Sequence, residues 1–326
     1  MPFAARKPKK PRILRIRPKK APCNFGMLVE PTKIEFGKSM QNLNRVPLLD
    51  VNVQPDVRFF LGDKKMPDAK PVIDIESLLK PIPGENPCGE NLRYAGLYDD
   101  IANAKRSHVD LDILAEEQSD WGKVISLSVE ALATRTKDLL VAAWLGEALV
   151  KKYGFPGLND SLKLMSGMHS LFWDNFYPEI DEGDLEARVN YMAWYDRQIS
   201  AEIKEIPLTN VPKTSNLSFL QWQESSLPEE IQLIALSNPE EAAAIKENCE
   251  KAAGEWARLT QDTPLEFYEE LKSVLQQCLK GYAELDHWMY EKLEQLTPGL
   301  RELKWALEDI QGLVGRVLKE KGASDA

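Results

Sequence analysis

Beyond residue 70, apolar residues recur every three or four positions, the period of helices that bury one face. Asp120 is placed to cap a helix whose Trp121, Val124, Leu127, Ala131 and Leu132 share a side. A second helix is expected from about Lys137 to Tyr153, aligned on Leu140, Ala143, Trp144 and Ala148 and stopped by Gly154. A third follows Pro156 with Leu158, Leu162, Met165, Met168 and Phe172, and ends before Tyr177-Pro178. Asn238, Pro239 and Glu241 form a capping-box start for a stripe of Ile245, Cys249, Ala252, Trp256 and Leu259. Thr263, Pro264 and Glu266 repeat that signal. The stripe they open runs Phe267, Leu271, Val274, Cys278, Tyr282, Leu285, Met289, Leu293 and Leu296, about 33 residues or roughly 50 Å of helix. After Pro298, a last helix carries Leu300, Leu303, Leu307, Ile310, Val314 and Val317.

The pattern predicts an all-α fold, with a multi-helix domain over 71–205, a linker over 206–228 and long antiparallel helices over 229–326. A lone helix with so wide an apolar face would not stay folded, and the short connections favour pairing within the chain. Residues 1–70 differ in kind: they are basic at the start, interrupted by proline, and expected to be largely flexible.

Charge sharpens that division. The first 20 residues hold nine Lys or Arg and no acid, leaving 32 basic and 51 acidic residues in the remainder, a net charge of −19. A body of that sign repels phosphate backbones, so nucleic-acid or anionic-membrane contact would have to come from the basic start; that start has only Phe3 for base stacking, so it reads as a solvated tail and no nucleic-acid partner is expected. The basic start has no apolar segment ending at a small-residue cleavage site, and no apolar run approaches the roughly 20 residues that span a bilayer. The chain is therefore expected in the cytoplasm, without membrane insertion. Cys23, Cys88, Cys249 and Cys278 have neither zinc spacing nor disulfide density, and Cys249 and Cys278 read as small core residues. His108, His169 and His287 fall in no metal-binding motif and read as structural.

The stretch "YPEIDEGDLEARVNYMAWYDR", 177–197, holds the densest carboxylates. Asp181, Glu182 and Asp184 could in principle serve a hydrolase or a metal-dependent enzyme, but calcium-loop spacing fails, since Pro178, Ile180 and Glu182 occupy the alternating positions before Gly183. A helix start explains more. Gly183 permits a turn, Asp184 caps, Glu186 favours the positive helix end, and Arg188 is placed one turn on to pair with Asp184. Leu185, Val189, Met192 and Ala193 would then be the buried stripe. Phosphate loops, nucleophile elbows and Cys/His nucleophile arrangements do not occur, so no catalytic, metal or cofactor residue is assigned.

Six stretches, "IDIESLLKPIPGENPCGENLRY", "DWGKV", "TKDLLVAAWLGEAL", "GFPGLNDSL", "FWDNFYPEIDEGDLEARVNYMAWYD" and "IPLT", resemble in that order the ImpA-type amino-terminal domain of TssA proteins of the bacterial type VI secretion system. The resemblance covers roughly Pro71 to Thr209. Its structural motif is Gly183, Asp184, Leu185, Glu186, Ala187 and Arg188, with Trp121, Trp144, Trp173 and Trp194. It implies a non-enzymatic assembly factor at the secretion baseplate, without cofactor, that binds baseplate, tube and sheath subunits. Many family members also self-associate into rings through a variable carboxy-terminal domain. "MPDAKPVIDIESLL" resembles a family start, so Met66 is expected to serve as an alternative start.

Overall fold

The computed structural model describes residues 71–322 except 107, 111–114, 118, 227–230, 294–295 and 297–298. The basic extension, Cys23 and Met66 lie outside the described residues. Within them the order is α1 (Ile75–Leu78), α2 (Leu97–Lys105), a ribbon of β1 (His108–Asp110) and β2 (Ala115–Glu117), α3 (Trp121–Thr134), α4 (Leu139–Phe172), α5 (Glu186–Glu205), α6 (Phe219–Glu224), α7 (Ile231–Ser237), α8 (Pro239–Asp262), α9 (Leu265–Leu293) and α10 (Arg301–Glu320). The fold is all-α. Its antiparallel ribbon, with His108 opposite Glu117, is small and was not evident in the sequence pattern.

α4 is the central element, flanked by α3, α5 and α9. Its second and third predicted helices are one rod broken at Gly154, where φ is 62° and ψ is −137°. The sequence showed one apolar face in each half. In the structure Val141, Ala142, Leu145, Leu149 and Val150 are buried as well, because neighbours cover the helix all round. Close approach across the break depends on Gly157, where a Cβ would collide with the Leu149 carbonyl.

α9 lays Leu271, Val274, Cys278, Leu285 and Met289 into the same hydrophobic cluster as α4. It stops at Leu293, and Leu296 is 60% exposed, so the apolar stripe outruns the helix's buried surface. α10 packs on α5 and α9, burying Leu303, Leu307, Ile310, Val314 and Val317. The stretch 206–228 is more than a connection: Leu208 and Phe219 are buried, and Ser218 and Gln221 form a capping box on α6. α8 packs on α6 and α7, with Trp256 6.5 Å from Trp222. Asn238 caps α8 as expected, accepting from the Glu241 amide at 3.2 Å. Thr263 does not start α9. Its hydroxyl donates to the Leu259 carbonyl at the end of α8 and accepts from the Asn210 amide.

Cys249 and Cys278 are buried. His169 is fully buried, its Nδ1–H donating to the Met165 carbonyl at 2.7 Å and its ring packed on Trp173 and Phe176. Burial lowers its pKa from 6.5 to about 4. The unfolded chain therefore takes up this proton first, and the neutral ring's contribution to stability fades as pH falls from 6.5 towards 4. Wild-type protein should lose stability faster than His169→Phe across that window, by up to about 1.4 kcal/mol per pH unit in urea melts.

Candidate functional site

Three of the sequence stretches singled out above meet in space around Arg188. The 82–90 loop is pinned to the start of α4 by Glu90 N–H to the Arg135 carbonyl and Lys137 N–H to the Cys88 carbonyl. Residues 137–139 in turn exchange backbone hydrogen bonds with Tyr177. The Tyr177 hydroxyl donates to the Gly89 carbonyl at 2.9 Å, which closes the loop against the end of α4. Gly89 has a φ of 71°, and a Cβ there would strike the Arg135 carbonyl, so only glycine fits this crossing.

Arg188, on α5, is 1% exposed and donates to three main-chain carbonyls: Pro178 at 2.8 Å, Trp173 at 2.5 Å and Phe176 at 2.6 Å. These oxygens belong to the unsatisfied end of α4 and the turn after it. The guanidinium lies 4.8 Å from the Trp173 ring centroid and 4.1 Å from that of Phe176. Burial lowers its pKa to about 10, so it stays charged at neutral pH. The expected Asp184–Arg188 pair does not form. With a planar five-donor fork, Arg188 serves main-chain carbonyls at and beyond the end of α4, whereas Asp184 remains at the surface.

The three candidate carboxylates sit on an exposed turn. Glu182 and Gly183 both have positive φ, 49° and 85°, and the Asp184 amide closes the turn onto the Asp181 carbonyl at 2.8 Å. Asp184 accepts from the Glu186 amide at 2.8 Å, so it does cap α5, from one position earlier than a formal N-cap, which is Leu185. Glu186 opens the helix and Ala187 is exposed. Asp184→Ala should cost about 0.5 to 2 kcal/mol in urea melts, and Asp184→Asn much less. Among the described residues no group of three or more His, Cys, Asp or Glu is placed to hold a metal ion.

The buried side of α5 also differs from the expected stripe. Met192 is buried, but Leu185, Val189 and Ala193 are only partly so; the inward face is Arg188, Met192, Tyr195, Asp196, Ile199 and Ile203. Two charged residues on that face concealed its period. Asp196 accepts from the Leu303 amide at 2.8 Å and the Glu302 amide at 3.3 Å, capping α10 from another helix. Lys137, fully buried and without a carboxylate, donates to the Leu78 and Leu132 carbonyls at 2.6 Å each, finishing α1 and α3 together. Asp160 accepts from the Val72 amide at 2.6 Å and fixes the chain entering α1.

Of the four tryptophans, only Trp173 belongs to this knot. Trp144 and Trp194 flank the Lys105 ammonium, at 5.5 and 5.0 Å, and Trp121 is half-buried at the start of α3. Lys105 pairs with Glu147, which accepts from Gln198 at 3.2 Å; Gln198 also donates to Glu202, the partner of Lys151. This chain of charges braces α2, α4 and α5. Sequence reasoning missed Lys105, Glu147, Lys137 and Asp196. The one available signal was a charged residue standing where the helical period calls for an apolar one.

Residues 79–197, which contain nearly the whole knot, match the family model described as ImpA, N-terminal, type VI secretion system. The type VI secretion system component TssA1 of Pseudomonas aeruginosa is 30% identical over 117 residues, 35% of this chain and 34% of the relative. The chain thus spans about a third of that curated relative's length. A solved structure, the N-terminal domain including the conserved ImpA_N region of the TssA component of the type VI secretion system from Burkholderia cenocepacia, superposes with a TM-score of 0.64 at 26% identity. That superposition covers 81% of this chain and 99% of the other. Fold and sequence together define an ImpA-type amino-terminal domain. Residues 79–197 are thus similar to the amino-terminal domain of TssA components of type VI secretion systems.

Proposed function

We propose that this protein is a non-enzymatic assembly component that works at the secretion baseplate, binding baseplate, tube and sheath subunits through helical surfaces. The observation that carries the reading is the superposition over 99% of a TssA amino-terminal domain, which extends the likeness past the 79–197 match to the remaining helices. The use of the buried charges supports it: Arg188, Lys137 and Asp196 are each committed to main-chain groups of the fold. No helix among the described residues is long and apolar enough to cross a membrane.

The test is capture of individually purified baseplate, tube and sheath subunits from the same genome by the immobilised full chain, together with sheath imaging in a deletion strain. At least one subunit should be retained, and sheaths should fail to assemble without the protein. Retention of none, with normal sheaths in the deletion strain, would contradict the proposal.

A further inference from the structure

Of the 24 residues of α8 only Ala242, Cys249, Leu259 and Thr260 are buried, whereas α9 buries ten of its 29. The hydrophobic cluster that unites α4, α5, α9 and α10 takes in Trp256 at its edge but not Ala242, Ile245, Cys249 or Ala252. The first four turns of α8 therefore have α7 as their main cover. Cys249 closes the inside of that pair, its thiol donating to the Ser226 carbonyl at 3.5 Å.

The other end of α8 is tied down. Beyond the Trp222–Trp256 contact, Lys321 donates to the Gln261 carbonyl at 3.0 Å, and the Thr263 hydroxyl joins Leu259 to Asn210. Gly254 stands just before this anchored end. A Cβ there would meet nothing within 4 Å, so packing does not call for glycine, and its backbone freedom weakens the helix where the loosely held part begins.

α7 is only seven residues long, with Ile231, Ile234 and Ala235 half-buried and Leu236 84% exposed. It passes into α8 through the Asn238 amide, which donates to the Ile234 carbonyl at 2.7 Å. A helix that short does not persist alone in water, and the first turns of α8 are marginal once their cover is gone. The two segments thus hold each other, with little apolar burial to resist opening. We infer that α7 is a strap that lifts off α8, the two opening together back to Trp256 while the body stays folded. Opening uncovers the stripe of Ala242, Ile245, Cys249 and Ala252 and leaves the Arg188 knot closed. This device operates whichever subunits the chain binds.

Cys249 and Cys278 report on it. Cys278 is fully buried in the body, its thiol donating to the Phe155 carbonyl at 3.4 Å. The test is thiol labelling of the full chain carrying Cys23→Ser, resolved by peptide mass, alongside hydrogen exchange. Cys249 should react at least about 100-fold faster than Cys278, and the amides of 239–254 should exchange correspondingly faster than those of α9. At low urea the Cys249 rate should hardly change, whereas the Cys278 rate should climb with the slope of global unfolding. Ile310→Val, a mild change in the body, should raise the Cys278 rate about fivefold and leave that of Cys249 unaltered. Similar rates for the two thiols, or an effect of Ile310→Val on both, would overturn the inference, since the strap would then open only with the body. Fast labelling of Cys249 with the amides of 239–254 as protected as those of α9 would overturn it too.

Discussion

Replacing Arg188 by alanine is expected to cost about 4 kcal/mol or more, enough to unfold a domain of ordinary stability. The side chain is the donor for the carbonyls of Trp173, Phe176 and Pro178, all at the closing end of α4. Removing it orphans several buried acceptors at about 1 to 3 kcal/mol each and opens a cavity between two aromatic rings. Arg188→Lys should recover only part of the loss, because a single ammonium cannot present the planar fork that reaches three divergent oxygens. Urea melts of the full chain followed by circular dichroism measure both. A loss below about 1 kcal/mol for Arg188→Ala would show that the knot is dispensable.

Lys137→Met should cost about 2 to 4 kcal/mol at neutral pH, since methionine fills the volume but leaves the Leu78 and Leu132 carbonyls without a donor. The loss is partly offset because no charge is then buried. That offset gives a pH signature. Burial lowers the Lys137 pKa from 10.5 to about 8. Between those values the unfolded chain holds more protons than the folded one, so the wild type gains stability as pH rises, by up to about 1.4 kcal/mol per unit. The neutral amine keeps two hydrogens for its two carbonyls. Lys137→Met should lack this rise. The comparison is made from pH 8 to 10, because burial holds the phenols of Tyr98 and Tyr195 above their usual range.

Much of the architecture was legible in apolar spacing, because a helix that buries one stripe writes its period into the sequence. The caps of α3 and α8, the break at Gly154 and the face of α10 all follow from residues within one turn of the feature. What was hidden was non-local. Nothing near Leu300 indicates that Asp196, more than 100 positions earlier, caps α10. The sequence offered Asp184 as a neighbour for Arg188, and carbonyls brought near by a turn in the chain took its place. The stripe on α5 was misplaced for the same reason: inward-facing Arg188 and Asp196 look like surface residues until their main-chain acceptors and donors are assembled. The GDLEAR stretch was correctly read as the start of a helix, but its larger role, closing α4, depends on the tertiary fold.

Helix construction and assembly, as opposed to chemistry at the exposed acids, are separated most directly by amide substitution. Asp181→Asn, Glu182→Gln and Asp184→Asn together remove any acid, base or metal-binding capacity while asparagine at 184 keeps the cap. With this triple variant in place of the wild-type chain, sheath assembly and secretion should proceed at wild-type levels. Loss of secretion by a variant that accumulates and melts normally would contradict the account.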